Sequence, residues 1–338
     1  DDACKLQQTY KNTVFINVKE QKFDKICLLV YKILKKLSKG KIAPLFLSRL
    51  NSRAFKALKK NHDIDYVICE GGLYRDFYKI SKYFGRERMI LHLHSEFVPD
   101  KYIESSFSRY IAISRFIANK WGERLKNKQV EIDVLKNCID QEKFKSSEIN
   151  LDVRKQYNIS NRFLIVYVGR IIPIKGVEQL INAFRLANIP DSSLMIIGSV
   201  NFGAKATSEY CKRIEKKVKK DNRIILTGFI HNDILSAYLS AADLLIIPSL
   251  CQEGAGLVAL EGGCLEKKMI ITVSGGLPEF VPPELCYKIE KDKYFKEDIT
   301  GVITNELVER TDWSGFEKEL SMLILKTYEQ KENPVKLT

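Results

Sequence analysis

Between Leu244 and Leu265 the chain runs through a strand, a glycine loop and a helix without interruption. Few folds accept that order. Leu244 to Ile247 is wholly apolar, as in a parallel strand buried on both faces. Pro248 ends it. Gly254 and Gly256 permit a tight turn whose backbone can approach a ligand closely. From Gly256 to Leu265 the pattern turns helical, so the loop feeds a helix N-terminus. Its free N–H groups and the positive end of its dipole suit a phosphate. Glu253 sits in this loop, and Glu261 lies eight residues later in the helix. Carboxylates repel phosphate, so the pair needs another partner, and the hydroxyls of a sugar diphosphate are good donors to carboxylates. Taken alone, Glu253 reads as a loop residue and Glu261 as a solvated helix position, so the neighbouring segments must decide.

Similar units recur. Strands are expected at Thr13–Val18, Asp65–Glu70, Met89–Ser95, Tyr110–Ser114, Phe163–Val168, Ser193–Gly198 and Met269–Val273, and a strand with its following loop at Ile224–Ile230, with helical patterns between them. Alternating strands and helices predict an α/β chain with two Rossmann-like domains, and 338 residues is long for one ordinary core. Residues 1–145 form the expected first domain, the polar stretch 141–161 the connection and residues 160–312 the second domain. An amphipathic helix follows at Trp313–Tyr328. In the first domain His92 and His94 share one face near the end of a strand, where ligands of open parallel sheets bind. Ser114 is expected to cap the next helix. In the second, Gly169-Arg170 follows Phe163–Val168, and Lys175-Gly176 comes five residues beyond Arg170. Glycine there permits close approach, and the two cations are donors to a diphosphate.

Composition adds a charge asymmetry. Residues 1–145 hold 30 Lys/Arg against 17 Asp/Glu, which accounts for the whole net charge of +13. Residues 22–60 carry twelve of those bases and one acid, Asp24. On a helical wheel Lys25, Lys32, Lys35, Lys36 and Lys39 fall on one face. Ile26, Val30, Ile33, Leu34 and Leu37 fall on the other, with Leu28 and Leu29 at the basic margin. Such a helix suits an anionic membrane surface, and equally a core-facing helix with a basic back. No apolar run approaches the roughly 20 residues of a membrane span. The eight cysteines show no CxxC and no clustering with His, which reads as reduced cytosolic thiols. Cys251 is taken as structural.

The Glu-x7-Glu pair, the G-R-x4-K-G segment at Gly169–Gly176, the N-C-I-D-x3-F segment at Asn137–Phe144 and the Ser274–Glu279 loop together resemble glycosyltransferase family 4. The resemblance covers roughly residues 60–330 and is strongest in the second domain. It implies the GT-B fold, two Rossmann-like domains facing a cleft with the C-terminal helix crossing back to the first. It implies hexose transfer from a nucleotide sugar, most often a UDP-sugar, with retention and without a metal or other cofactor. Glu253, His94, Arg170 and Lys175 would be the catalytic residues, Glu253 and His94 on the donor hexose and the two cations on the diphosphate. Gly169, Arg170, Lys175, Phe229, Ile230, Gly254, Gly256, Leu257 and Glu261 would bind the nucleotide, Glu261 at the ribose. Ser95 stands where the family often has Asp, and Cys138 where it usually has Gly. The family's opening strand, Gly-rich loop and helix are not found ahead of Thr13–Val18. With the basic segment, the resemblance implies a peripheral enzyme on the cytoplasmic face of a membrane. It would act on a lipid-linked or glycan acceptor in cell-surface polysaccharide or glycolipid synthesis. Rival readings are a non-catalytic partner subunit or chaperone, a nucleotide-sugar epimerase and a nucleic-acid-binding protein. The last has the charge but no recognised binding motif.

Overall fold

A computed structural model describes residues 23, 26–28, 30–31, 45–60, 63–70, 74–127, 129–145, 151–159, 162–199, 208–295 and 303–332. The chain divides into two α/β units, residues 1–113 with 118–135 and residues 114–117 with 136–338. The break at 135/136 precedes the boundary expected at 145. The expected strand Thr13–Val18 and Lys25, Lys32, Lys35, Lys36 and Lys39 lie outside the described residues.

The first unit has a parallel sheet in the order β1 (Val67–Glu70), β2 (Met89–Leu93), β3 (Arg109–Ala112), β4 (Ile132–Val134). Its helices are α1 (Leu45–Leu58), α2 (Tyr74–Phe84), α3 (Lys101–Ser106) and α4 (Arg115–Arg124), the first turn of α4 counting with the second unit. Met89, Leu91, Phe107, Tyr110 and Trp121 are buried and form its core. α3 starts where it does because the Asp100 carboxylate accepts from the N–H groups of Tyr102 and Ile103, both at 2.9 Å. The loop after β2 is fixed to α4 by the Trp121 indole N–H on the Ser95 carbonyl (2.9 Å) and by Arg124 on Glu96 (3.0 Å).

Phe23, Ile26 and Val30 are exposed, whereas Leu28 is half-buried. The helical wheel put Ile26 and Val30 on the apolar face, suited equally to a membrane surface or a core, and Leu28 at the basic margin. The exposure of Ile26 and Val30 does not fit the core-facing alternative. Among the described residues no helix is long and apolar enough to cross a membrane.

The second unit has a six-stranded parallel sheet in the order β10-β9-β8-β5-β6-β7. The strands are β5 (Phe163–Val168), β6 (Ser192–Ile197), β7 (Ile224–Gly228), β8 (Leu244–Ile247), β9 (Lys268–Thr272) and β10 (Cys286–Ile289). Its main helices are α5 (Val177–Ala187), α6 (Glu209–Val218), α7 (Asn232–Ala241), α8 (Leu257–Cys264), α9 (Asn305–Arg310) and α10 (Ser314–Glu332). Strand alternation divides the core in two. Ile165, Leu194, Leu244, Ile246 and Ile270 pack on one face against α5, α6 and α10. Leu164, Val166, Met195, Leu245 and Met269 pack on the other against α7 and α8. Both faces being covered is why β5 and β8 read as unbroken apolar runs.

α10 lies along α5, burying Phe316, Leu320 and Ile324, each worth about 1.5–3 kcal/mol. Its last turn is anchored by Lys331 on Asp243 at 2.9 Å. Asp243 also accepts from Leu164 N–H (2.8 Å) and Arg154 (2.7 Å). Burial works to raise this carboxyl, and those bonds outweigh it and hold it below the usual range. α10 counts with the second unit.

Candidate functional site

The chain leaves β5 through β6 and β7 on one side, then returns to lay β8 on the other side of β5. The strand order thus reverses between β5 and β8, and open α/β sheets bind ligands beyond the carboxyl ends of the strands at such a point. Gly169-Arg170 follows β5, and Pro248 to Gly256 follows β8. The topology thus brings two segments picked out by the sequence, some 80 residues apart, to one sheet edge.

Their contact depends on glycine. Gly176, at φ +70°, precedes α5, and a Cβ there would lie 2.1 Å from the Pro248 carbonyl oxygen. The two loops are also joined by the N–H groups of Leu250 and Cys251 on the Ile174 carbonyl, at 2.9 and 3.2 Å. Across this junction Lys175 forms an ion pair with Glu253, both mostly buried. Ser249 Oγ donates to the same carboxylate oxygen. The Glu253 backbone is held in turn, its carbonyl accepting from Gly276 N–H at 2.7 Å. Thr272 Oγ1 donates to Ser249 O (2.6 Å), Ser274 Oγ to Cys251 O, and Ser114 Oγ to Gly254 O (2.7 Å). Ser114 also receives Ile117 N–H at 3.2 Å, the helix cap expected of it. Glu279, at the end of the Ser274–Glu279 loop, accepts from the N–H groups of Arg115 (3.0 Å) and Phe116 (2.8 Å).

The charges are distributed unequally. Lys175 is neutralised by Glu253. Arg170 is exposed, and among the described residues its guanidinium has no hydrogen bond or ion pair, while its carbonyl accepts from Tyr167 OH at 2.8 Å. α8 begins at Leu257 with Gly256 at its cap and no side-chain cap. Its first-turn N–H groups and dipole are therefore open to an anion. Glu261 sits within α8. Burial pushes its carboxyl up to about 7, and its Oε2 is buried with no hydrogen-bond partner. An unsatisfied buried acceptor is costly, and a hydroxyl donor would relieve it.

Beside Arg170 lies a cavity of about 110 Å³, walled by Val168, Gly169, Ile197, Phe229, Ile230 and Leu235. Four expected site residues, Gly169, Arg170, Phe229 and Ile230, share it. Its apolar walls and the exposed Phe229 suit a flat ring. Lys175 and Glu253 are joined directly, and Gly254, Gly256 and Leu257 form the loop and helix start. Sequence reasoning passed over the hydroxyls of Ser249, Thr272 and Ser274, which hold the loops. Ser249 and Ser274 lie within stretches already singled out, but nothing in a hydroxyl's identity says which carbonyl or carboxylate it will meet. Burial raises the Cys251 thiol, consistent with the structural role expected of it.

His94 belongs to the first unit and lies just past the end of β2. Glu70 ends β1 in register with His92 and was not foreseen. His92 Nδ1 is 2.8 Å from Glu70 Oε1, and His94 Nε2 is 3.8 Å from Glu70 Oε2. The hydrogen bond with His92, more than the charges, lowers the Glu70 carboxyl. Among the described residues this is the one group of three or more His, Cys, Asp or Glu whose ligand atoms could share an ion.

Residues 150–318 match the family model described as glycosyl transferases group 1. The lipopolysaccharide 1,2-N-acetylglucosaminetransferase of Salmonella typhimurium is 29% identical over 199 residues, 57% of this chain and 51% of that one. The capsular polysaccharide biosynthesis glycosyltransferase CapM of Staphylococcus aureus is 27% identical over 211 residues, 60% and 53% of the two chains. The chain thus spans about half the length of these curated relatives. Among solved structures, Anabaena HepE in complex with UDP-glucose superposes with a TM-score of 0.59 at 18% identity, covering 94% of this chain and 89% of that one. The trehalose-6-phosphate synthase OtsA gives 0.60 at 14% identity, covering 87% and 77%. These likenesses show the fold, the α/β GT-B class expected from the sequence.

Proposed function

Starting from a chain that belongs to the glycosyl transferases group 1, we propose that it moves a hexose from a nucleotide sugar to an acceptor with retention at the anomeric carbon. The observation that carries this reading is the junction of the loops after β5 and β8. It holds the Lys175–Glu253 pair and leads to the uncapped start of α8, and Arg170 lies on the apolar cavity at the ends of β5, β6 and β7. A diphosphate offers the negative charge that Arg170, Lys175 and the α8 N–H groups are built to meet. As the bond to the sugar breaks, charge grows on the leaving phosphate oxygen, and fixed cations stabilise it more than they stabilise the ground state. Arriving phosphate would compete with Glu253 for Lys175 and free the carboxylate for sugar hydroxyls. Glu261, with its unpartnered oxygen, suits the ribose. His94 is assigned to the donor hexose on the resemblance alone.

A UDP-sugar is the favoured donor, an inference supported by the UDP-glucose complex of HepE. With two cations and a helix dipole for the diphosphate, the transfer step is proposed to need no metal. The names of the Salmonella and Staphylococcus relatives support a lipid-linked or glycan acceptor in cell-surface polysaccharide or glycolipid synthesis. The basic segment at residues 22–60 supports a site of action at an anionic membrane, on its cytoplasmic face.

The test is a thermal-stability screen of nucleotide sugars, because a ligand that binds only the native state must raise its stability. Raised stability with one UDP-sugar, and its loss in Lys175→Ala, is the expected result. For a transferred sugar, Lys175→Ala should also lower kcat/KM at least tenfold, about 1.4 kcal/mol of transition-state stabilisation. Stabilisation by no nucleotide sugar, or full retention in the folded variant, would overturn the donor site.

A further inference from the structure

The alternation of a strand puts His92 and His94 on one face of the first unit's sheet, with Leu93 buried on the other. β1 runs parallel to β2 in a register that pairs Glu70 with His92. One carboxylate and two imidazoles are thereby gathered at the carboxyl ends of two strands. Their three ligand atoms lie within 4.8 Å of one another, and the two rings are 4.3 Å apart between centroids. We infer that Glu70, His92 and His94 form a binding site for a divalent transition-metal ion, of which Zn²⁺ is the type.

The chemistry and the spacing both support this. Two imidazole nitrogens with one carboxylate oxygen are the donors of zinc and its first-row neighbours, not of magnesium or calcium, which take oxygen ligands. In a tetrahedral zinc site with bonds of about 2.0–2.2 Å, neighbouring ligand atoms stand about 3.3 Å apart. His92 Nδ1 is 2.8 Å from one Glu70 oxygen and His94 Nε2 is 3.8 Å from the other, with one ligand atom from each residue lying within 4.8 Å of the rest, a spread that brackets this value. Small rotations of Glu70 and His94, 60% and 46% exposed, would even them out, while His92 at 17% is held by the sheet. The exposed side gives the ion an entry path and leaves its fourth position to water. All three residues belong to the first unit, whereas the residues assigned to the diphosphate belong to the second. The consequence of the metal site rests on the transferase reading. An ion that takes His94 removes the side chain assigned to the donor hexose, so bound Zn²⁺ inhibits transfer.

The test is direct binding to the full chain, stripped of metal with a chelator and then titrated with Zn²⁺ against a chromophoric competitor. One equivalent should bind, with at least tenfold weaker affinity in His92→Ala and in Glu70→Gln. Glu70→Gln is an exposed change that keeps the measurement valid if His92→Ala does not fold. Co²⁺ in place of Zn²⁺ should give ligand-field bands without a thiolate charge-transfer band. No bound equivalent, unchanged affinity in both variants, or a thiolate band that assigns the ion to a cysteine would each overturn the site. In a transfer assay Zn²⁺ should inhibit the native chain and spare His92→Ala. The binding arm reads out independently of that assay, so failure of the metal site and failure of the transferase reading are distinguishable.

Discussion

Glu261 carries the clearest single-residue consequence. Its carboxyl stands near 7 in the folded chain against an ordinary 4.5, burial being the cause. Between those pH values the folded chain holds a proton that the unfolded chain has released. Stability therefore falls as pH rises from about 4.5 to about 7, and the loss above that range is about 3 kcal/mol. Glu261→Gln removes the titration. Urea unfolding at pH 5 and pH 8 should show a smaller stability difference for the variant than for the native chain. Equal differences would mean that the carboxyl is not raised. Residue identities foretold part of this site. Arg170, Lys175, Glu253 and Glu261 stood out because their motifs occur together and resemble one family, not because any one of them is telling alone. The Lys175–Glu253 bond was not legible, because it joins residues on different strands' loops, and nor was Glu70, which meets His92 only through the register of β1 and β2.

The strands and helices were legible in proportion to their burial. β5 and β8 begin and end where the sequence put them, since both are covered on both faces and stop at Gly169 or Pro248. β4 and β10 had not been foreseen. Each is a short strand at the end of its sheet's order, and Asp133 in the one and Lys288 in the other break the apolar pattern. The junction of the loops after β5 and β8 rests on Gly176. Gly176→Ala places a side chain in the left-handed region, a cost of about 1–2 kcal/mol, and drives its Cβ onto the Pro248 carbonyl. A total loss of at least about 2 kcal/mol in urea unfolding is expected, together with weaker nucleotide binding. Gly122→Ala in α4 is the contrast, because a Cβ there meets nothing within 4 Å. It should be neutral or stabilise by up to about 1 kcal/mol. Equal effects at both positions would contradict the junction.

Across the whole chain the excess positive charge lies in residues 1–145, and its proposed use is attachment to an anionic bilayer. Each basic residue near such a surface contributes about 1 kcal/mol, screened within a Debye length. The exposed Phe23, Ile26 and Val30, spaced as one helical stripe, add apolar contact. Vesicles containing anionic lipid should co-sediment the native chain at physiological salt. Changing Lys32, Lys35 and Lys36 to Glu should abolish this, and Phe23, Ile26 and Val30 to Ser should weaken it. Binding that is absent, or equal in all three proteins, would remove the membrane from the reading.

The reversal of strand order in the second unit also dictates when the proposed nucleotide site can exist during synthesis. β5, β6 and β7 can pair in the order in which they emerge, but β8 must come back to the opposite edge of β5, and the Ser274–Glu279 loop that braces Glu253 follows it. Such non-local pairing is slow relative to local contacts. A nascent chain stopped before Ser249 therefore has Gly169, Arg170 and Lys175 but not Glu253, the partner of Lys175. The proposed nucleotide site cannot be complete until β8 and the loop after β9 have both been made and joined to β5.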